Sequence, residues 1–107
     1  MKQLSVAQLS QWLADAGGVP PKLLDVREPW EFAICRIEGS QLVPLGTLAP
    51  QLEAIDCAGP VVCVCHHGTR SFHAALTLEQ HGCGDVYNLT GGIDAWARQI
   101  DRAMPIY

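Results

Sequence analysis

Cys65-His66-His67-Gly68-Thr69-Arg70-Ser71 is the stretch of this chain whose residue types suit covalent chemistry. It ends Val61 to Cys65, a short apolar run after Gly59-Pro60 that reads as a strand buried on both faces. The spacing of Phe72, Ala75 and Leu76 predicts a helix from about Ser71 to Gln80. A thiol therefore closes a strand, and a glycine-bearing loop leads from it into a helix. Backbone N–H groups of such a loop can converge into an anion-binding nest. The helix N-terminus adds its positive end. Both favour a thiolate over a thiol. The chemistry this predicts is a nucleophilic sulfur at the floor of a small electropositive bowl.

The other residues of the stretch have supporting readings. Gly68 permits a backbone angle or a close approach that a side chain would block. Arg70 either faces an incoming anion or braces the loop by pairing with Asp25, Glu28 or Glu31. Bracing is preferred, because an arginine fork suits a carboxylate. Ser71 is placed to cap the following helix. Asp25 and Arg27 read as a supporting polar network, Gly91-Gly92 as a turn and Trp96 as a core anchor. Cys63, Cys65, His66 and His67 are also metal-ligand types. Neighbouring loop residues rarely point at one ion, so no metal is expected. A Cys63–Cys65 redox pair would be strained.

Five cysteines, an odd number, do not suit the paired set of an oxidised secreted domain. Cys35, Cys57 and Cys83 are expected as small buried hydrophobes, and Cys63 as core within its strand. Thiols left free fit a reducing compartment. The N-terminus, Met-Lys-Gln-Leu-Ser, lacks a long apolar core, and no stretch is long enough to span a membrane. A cytoplasmic protein is expected, with no membrane association.

The elements that must position the loop follow from composition and periodicity. The chain has 107 residues, 49% hydrophobic and 17% charged, with a formal net charge of −4. That balance predicts one globular domain over residues 1–107. With no basic excess to neutralise phosphates, nucleic acid is not an expected partner. Ser5 and Gln8 form a capping-box pattern ahead of Val6, Leu9, Trp12, Leu13 and Ala16 at helical spacing. Strands are predicted at Leu23 to Val26, Leu42-Val43, Val61 to Cys65 and Val86 to Leu89. Helices are predicted from Pro29, over Leu48 to Ile55, and through Ile93, Trp96, Ala97 and Ile100. The alternation implies an α/β domain with a largely parallel sheet. Its functional edge would lie beyond the carboxyl ends of the strands, where Asp25-Val26-Arg27 and Cys65 would meet.

Three segments together carry a family resemblance. They are Leu-Leu-Asp25-Val-Arg27-Glu28-Pro-Trp-Glu31-Phe, the Cys65 to Ser71 loop, and Asn88-Leu-Thr-Gly91-Gly92-Ile-Asp94-Ala-Trp96. In this order and spacing the chain resembles a single-domain rhodanese over nearly its whole length. The stretch from Arg98 to Tyr107 also resembles rhodanese domains attached to adenylating enzymes of sulfur-carrier pathways. The resemblance implies a small three-layer α/β/α domain with a largely parallel sheet of about five strands. It implies a catalytic Cys65 that accepts a sulfane sulfur as a persulfide and passes it to a thiophilic acceptor. His66, His67, Gly68, Thr69, Arg70 and Ser71 would form the substrate-binding loop, with Asp25 and Arg27 supporting it. No metal or organic cofactor is implied.

The expected donor is thiosulfate, a low-molecular-weight persulfide or the persulfide of a cysteine desulfurase. The expected acceptor is cyanide in the test tube and a thiol or sulfur-carrier protein in the cell. Many family members that use thiosulfate carry an extra basic residue where this loop holds His66, His67 and Thr69, which puts efficient thiosulfate use in question. Arg36-Ile37-Glu38-Gly39 stands where the family usually has His-Ile-x-Gly. Two other readings are a sulfur-relay or partner-binding module without turnover of its own, and an inactive scaffold, which would have no use for the thiol. Cysteine phosphatases and arsenate reductases on related scaffolds resemble Cys-x5-Arg. Here only four residues separate Cys65 from Arg70, too narrow a cradle for a phosphate.

Overall fold

A computed structural model describes all 107 residues. Five strands form one sheet: β1 (Lys2–Leu4), β2 (Lys22–Asp25), β3 (Gln41–Leu42), β4 (Val61–Val64) and β5 (Val86–Leu89). Their spatial order is β1-β5-β4-β2-β3, and every pairing is parallel. The helices are α1 (Val6–Ala14), α2 (Pro29–Ile34), α3 (Leu48–Gln51), α4 (Thr69–Gln80) and α5 (Gly92–Gln99).

β4 occupies the centre, and all four of its side chains are fully buried. Strand alternation sends Val61, Cys63 and then Cys65 into one core, with Ala74, Ala75 and Leu78 of α4 and with Leu48 and Ile55. Val62 and Val64 enter the other core, with Val6 and Leu9 of α1 and Ile93 and Trp96 of α5. Three layers result, because an all-apolar strand needs cover on both faces.

Several boundaries differ from the sequence expectations for local reasons. β1 has no apolar alternation, and only Leu4 is buried; its pairing with β5 makes it a strand. The Ser5–Gln8 capping box is present, with Gln8 N–H donating to Ser5 Oγ at 3.1 Å and Ser5 N–H to Gln8 Oε1 at 2.8 Å. α1 stops at Ala14 rather than Ala16, because Asp15 Oδ1 accepts the Gly17 N–H at 3.1 Å and turns the chain. The helix expected over Leu48 to Ile55 is two pieces, α3 and a 3₁₀ turn at Leu52–Ala54, and another 3₁₀ turn at Leu45–Thr47 precedes them. Pro50 has no N–H to return to Gly46, so the first turn and α3 cannot merge.

Cys57 and Cys83 are joined in a disulfide, where buried thiols were expected. They lie in the loops that enter β4 and β5, and the adjacency of those strands brings their Cα atoms to 5.2 Å. Cys35, Cys63 and Cys65 are free and buried. A cytoplasmic placement argued from five thiols loses that support. No helix is long and apolar enough to cross a membrane.

Candidate active site

Asp25 at the end of β2 lies in register with Val64 at the end of β4, and Val26 N–H donates to Val64 C=O at 2.9 Å. The segments that follow, Arg27 and the Cys65 loop, therefore leave the sheet at the same carboxyl edge. Cys65 is 1% exposed, one residue beyond β4. Gly68 N–H donates to its Sγ at 3.0 Å. The Cys65 thiol donates to Ser71 Oγ at 3.2 Å, and the Ser71 hydroxyl in turn donates to Asn88 Oδ1.

This last contact corrects one expectation. Ser71 is the third residue of α4, not its cap; the helix begins two residues early, behind Gly68 as N-cap. Ser71 is fully buried and faces the sulfur. Asn88 on β5 completes the relay, with its Nδ2 donating to Gly68 C=O at 3.2 Å and to Gln3 Oε1 at 2.9 Å. Asn88 was missed as a site residue. Its signal was an amide inside the apolar strand Val86-Tyr-Asn-Leu89, which burial obliges to find partners.

Two glycines shape the loop. Gly68 has φ of +108°, and a Cβ there would come within 3.4 Å of Gly91 N and Leu89 C=O. Gly92 has φ of +57°, and a Cβ would fall 2.4 Å from the carbonyl oxygen of Cys65 and 2.5 Å from that of His66. The close approach lets α5 use its free amides: Ile93 N–H donates to Cys65 C=O at 2.8 Å and Asp94 N–H to His66 C=O at 3.1 Å. With these carbonyls drawn to α5, the Gly68 amide is left aimed at the sulfur.

Arg70 braces the loop as expected, and Glu31 is its partner. Nη1 donates to Oε2 at 2.7 Å and Nη2 to Oε1 at 2.8 Å. The Arg70 fork holds the Glu31 carboxyl down at about 2, against the opposing effect of burial. Glu31 in turn raises Arg70 above the ordinary arginine value. Asp25 and Arg27 form a fully buried pair, with Arg27 Nη2 donating to Asp25 Oδ2 at 2.8 Å and Nε to Oδ1 at 2.9 Å. Arg27 Nη2 also donates to Cys35 C=O at 2.6 Å. Neither residue touches the sulfur; they anchor the wall on which Glu31 stands.

The His66 and His67 rings lie with centroids 3.9 Å apart, tilted 34° to each other. Burial and the neighbouring His67 lower the His66 imidazole below the ordinary histidine value, and its Nε2 is buried without a hydrogen-bond partner. The His67 side chain is 64% exposed. Thr69 is exposed as the first residue of α4. His66, His67 and Asp94 bring ligand atoms within 4.8 Å of one another. Asp94 already accepts from Arg98 Nε at 3.0 Å, and the two imidazole rings are tilted 34° to each other. Cys63 lies beneath Cys65, its thiol pushed up to about 12 by burial and by the neighbouring sulfur. Both effects disfavour its thiolate, the form a nucleophile needs. The largest hollow, about 610 Å³ and lined by Trp12, Val19, Pro60 and Asp85, opens at the amino ends of β4 and β5, away from Cys65.

Comparison with known proteins agrees with this geometry. The rhodanese-like domain model matches residues 5–99. The uncharacterized protein YqhL of Bacillus subtilis (strain 168) is 40% identical over 85 residues, covering 79% of this chain and 68% of that protein. Thiosulfate sulfurtransferase GlpE of Pseudomonas aeruginosa is 39% identical over 75 residues, covering 70% of this chain and 68% of that protein. The crystal structure of a rhodanese-like domain protein from Staphylococcus aureus matches with a TM-score of 0.84 at 29% identity, covering 100% of this chain and 99% of that one. The matched residues include β2, the Cys65 loop and α5, the same three segments that meet at the carboxyl edge. By its sequence and by its parallel five-stranded fold, this chain belongs to the rhodanese-like domain family.

Proposed function

We propose that the chain is a sulfurtransferase in which Cys65 is the catalytic nucleophile and residues 66–71 form the sulfur-binding loop. The observation that carries this reading is the Gly68 N–H on Cys65 Sγ, inside a loop of four residues closed by Arg70. Similarity to a thiosulfate sulfurtransferase supports it.

In the first half-reaction the Cys65 thiolate attacks the sulfane sulfur of the donor. A bond forms between Sγ and that sulfur. The donor's own bond to it breaks, and the leaving group departs with the electron pair, as sulfite from thiosulfate or as thiolate from a persulfide. In the second, the acceptor attacks the outer sulfur, and Cys65 leaves again as thiolate. Cyanide would leave as thiocyanate. The electrons balance within the two steps, so no redox cofactor enters them. Covalent storage divides one transfer into two, which predicts ping-pong kinetics. Gly68 N–H stabilises the thiolate as attacking and leaving group, and the Ser71 hydroxyl joins it by rotating from Asn88 Oδ1 to donate to Sγ once the thiol has lost its proton.

The loop favours a persulfide over thiosulfate as donor. Both outer nitrogens of Arg70 are occupied by Glu31, and His66 is held below the ordinary histidine value. A dianion at this mouth meets no free arginine. The same features suit a relay that takes sulfur from a desulfurase persulfide and hands it to a thiol or sulfur-carrier protein.

The test is sulfur transfer to cyanide from thiosulfate and from a low-molecular-weight persulfide, read as thiocyanate, beside Cys65→Ser. The expected result is parallel-line ping-pong kinetics, a higher kcat/KM with the persulfide, and no transfer by the variant. Transfer by Cys65→Ser would remove Cys65 from its role.

A further inference from the structure

Beyond α5 the chain folds back over the candidate site. Ile100 and Asp101 N–H both donate to Trp96 C=O, and Met104 N–H to Asp101 C=O, which turns the segment toward the Cys65 loop. Tyr107 is delivered onto His66, the two rings stacked 6° from parallel with centroids 4.0 Å apart. Trp30 meets the Tyr107 ring edge-on at 5.9 Å. The hydroxyl accepts from Arg27 Nη1 at 3.0 Å and donates to Glu31 Oε1 at 2.9 Å. That Glu31 oxygen also accepts from Arg70 Nη2 at 2.8 Å.

One side chain thus reaches both ends of the loop. His66 is its first residue after the sulfur, and lies under the ring. Arg70 is its last before Ser71, and is held through Glu31. The Gly68 amide that donates to Sγ lies between them. The hydroxyl also joins two ion pairs that otherwise meet only through the backbone, Asp25–Arg27 and Glu31–Arg70.

We infer that Tyr107 is a positioning residue of the sulfur-transfer site: its hydroxyl fixes the Glu31 carboxylate that holds Arg70, and its ring covers His66, so the Cys65 loop keeps its shape only while this segment is seated. The inference rests on the sulfurtransferase reading above. Tyr107 does not touch the sulfur, so it acts through the loop. A partly buried hydrogen bond to a charged group, as Tyr107 makes to Glu31, is worth roughly a tenfold effect. Displacing a reacting group by about 1 Å can cost on the order of 100-fold.

The test compares wild type, Tyr107→Phe and Tyr107→Ala in the full chain. The first readout is the rate of Cys65 persulfide formation with a low-molecular-weight persulfide. Tyr107→Phe keeps the ring on His66 and should slow loading about 10-fold, and Tyr107→Ala about 100-fold. The effect should fall on kcat rather than KM. The second readout is the NMR titration of the His66 ring, which is faced by His67 on its own loop, Glu31 from α2, Asp94 from α5 and Tyr107. Its midpoint should rise in Tyr107→Ala, where burial is relieved, and hold in Tyr107→Phe. A residue that only adds stability would lower Tm and leave both readouts unchanged in the folded protein. Wild-type loading rates in Tyr107→Phe, with an unmoved His66 midpoint in Tyr107→Ala, would overturn the inference. If Tyr107→Ala does not fold, the Tyr107→Phe rate decides alone. Failure of wild type itself to load would instead sink the sulfurtransferase reading, and the His66 titration would still report on Tyr107.

Discussion

Gly92 meets the carbonyl of Cys65 so closely that a Cβ on it would lie 2.4 Å from the oxygen. This contact lets the Ile93 amide hold that carbonyl at 2.8 Å. The start of α5 and the exit of β4 are thereby one unit, and the Cys65 loop hangs from it. Gly92→Ala must move one of two backbones and adopt φ of +57° with a side chain. Its expected cost is about 2–4 kcal/mol of stability. In the variant that folds, sulfur loading should fall by on the order of 100-fold. Urea unfolding and a loading assay measure the two effects, and a variant of wild-type stability would contradict this view of the loop.

Glu31 makes the site sensitive to acid. Its carboxyl ordinarily titrates near 4.5 and is held down to about 2, chiefly by the Arg70 fork. A group depressed on folding stabilises the native state above its unfolded value and loses that contribution as pH falls. The stability difference between wild type and Glu31→Gln should therefore be complete above about pH 4.5 and shrink toward about pH 2. Its expected size at neutral pH is about 1–3 kcal/mol, because Arg70 is partly exposed. Denaturant melts of both proteins across that range measure it, and a difference independent of pH would show that the Glu31 charge is not the cause.

The Cys57–Cys83 disulfide lies at the end of the sheet opposite Cys65. Closing a loop with a sequence separation of 26 residues predicts a contribution of about 3 kcal/mol. Reduction, or the Cys57→Ser/Cys83→Ser variant, should lower Tm by roughly 10–20 °C. Sulfur loading of the folded protein should be unchanged. Thiol counting under denaturing conditions should find three free thiols before reduction and five after it, since three cysteines are free. Five before reduction would show that the bridge does not form.

Cys63 and Cys65 share a core and differ in chemistry. Burial and the neighbouring sulfur push the Cys63 thiol up to about 12, which disfavours its thiolate. Cys63→Ala should cost about 1 kcal/mol for the small cavity it leaves and should load sulfur as wild type does. Loss of loading in a folded Cys63→Ala protein would mean that the two cysteines act as a pair.

The sequence makes some of this legible and hides the rest for physical reasons. An all-apolar run at Val61–Val64 admits little besides a central strand, and the alternating elements imply parallel pairing, so the edge that joins Asp25 to Cys65 can be anticipated. Arg70 needs a carboxylate, but Glu31 is selected over Asp25 and Glu28 only by tertiary placement. β1 carries no local signal and exists through β5. Ser71 reads as a cap by residue type, yet the helix starts behind Gly68, because a glycine at positive φ can serve as N-cap with no side-chain acceptor. The disulfide depends on which strands are neighbours. Tyr107 lies 37 residues beyond Arg70, and nothing local ties it to the loop.

The most direct test of the central claim is the intact mass of the protein after exposure to a low-molecular-weight persulfide, without reductant, beside Cys65→Ser. The account predicts a gain of one sulfur atom in wild type, removed by cyanide with release of thiocyanate, and no gain in the variant. An unchanged wild-type mass, or the same gain in Cys65→Ser, would contradict it.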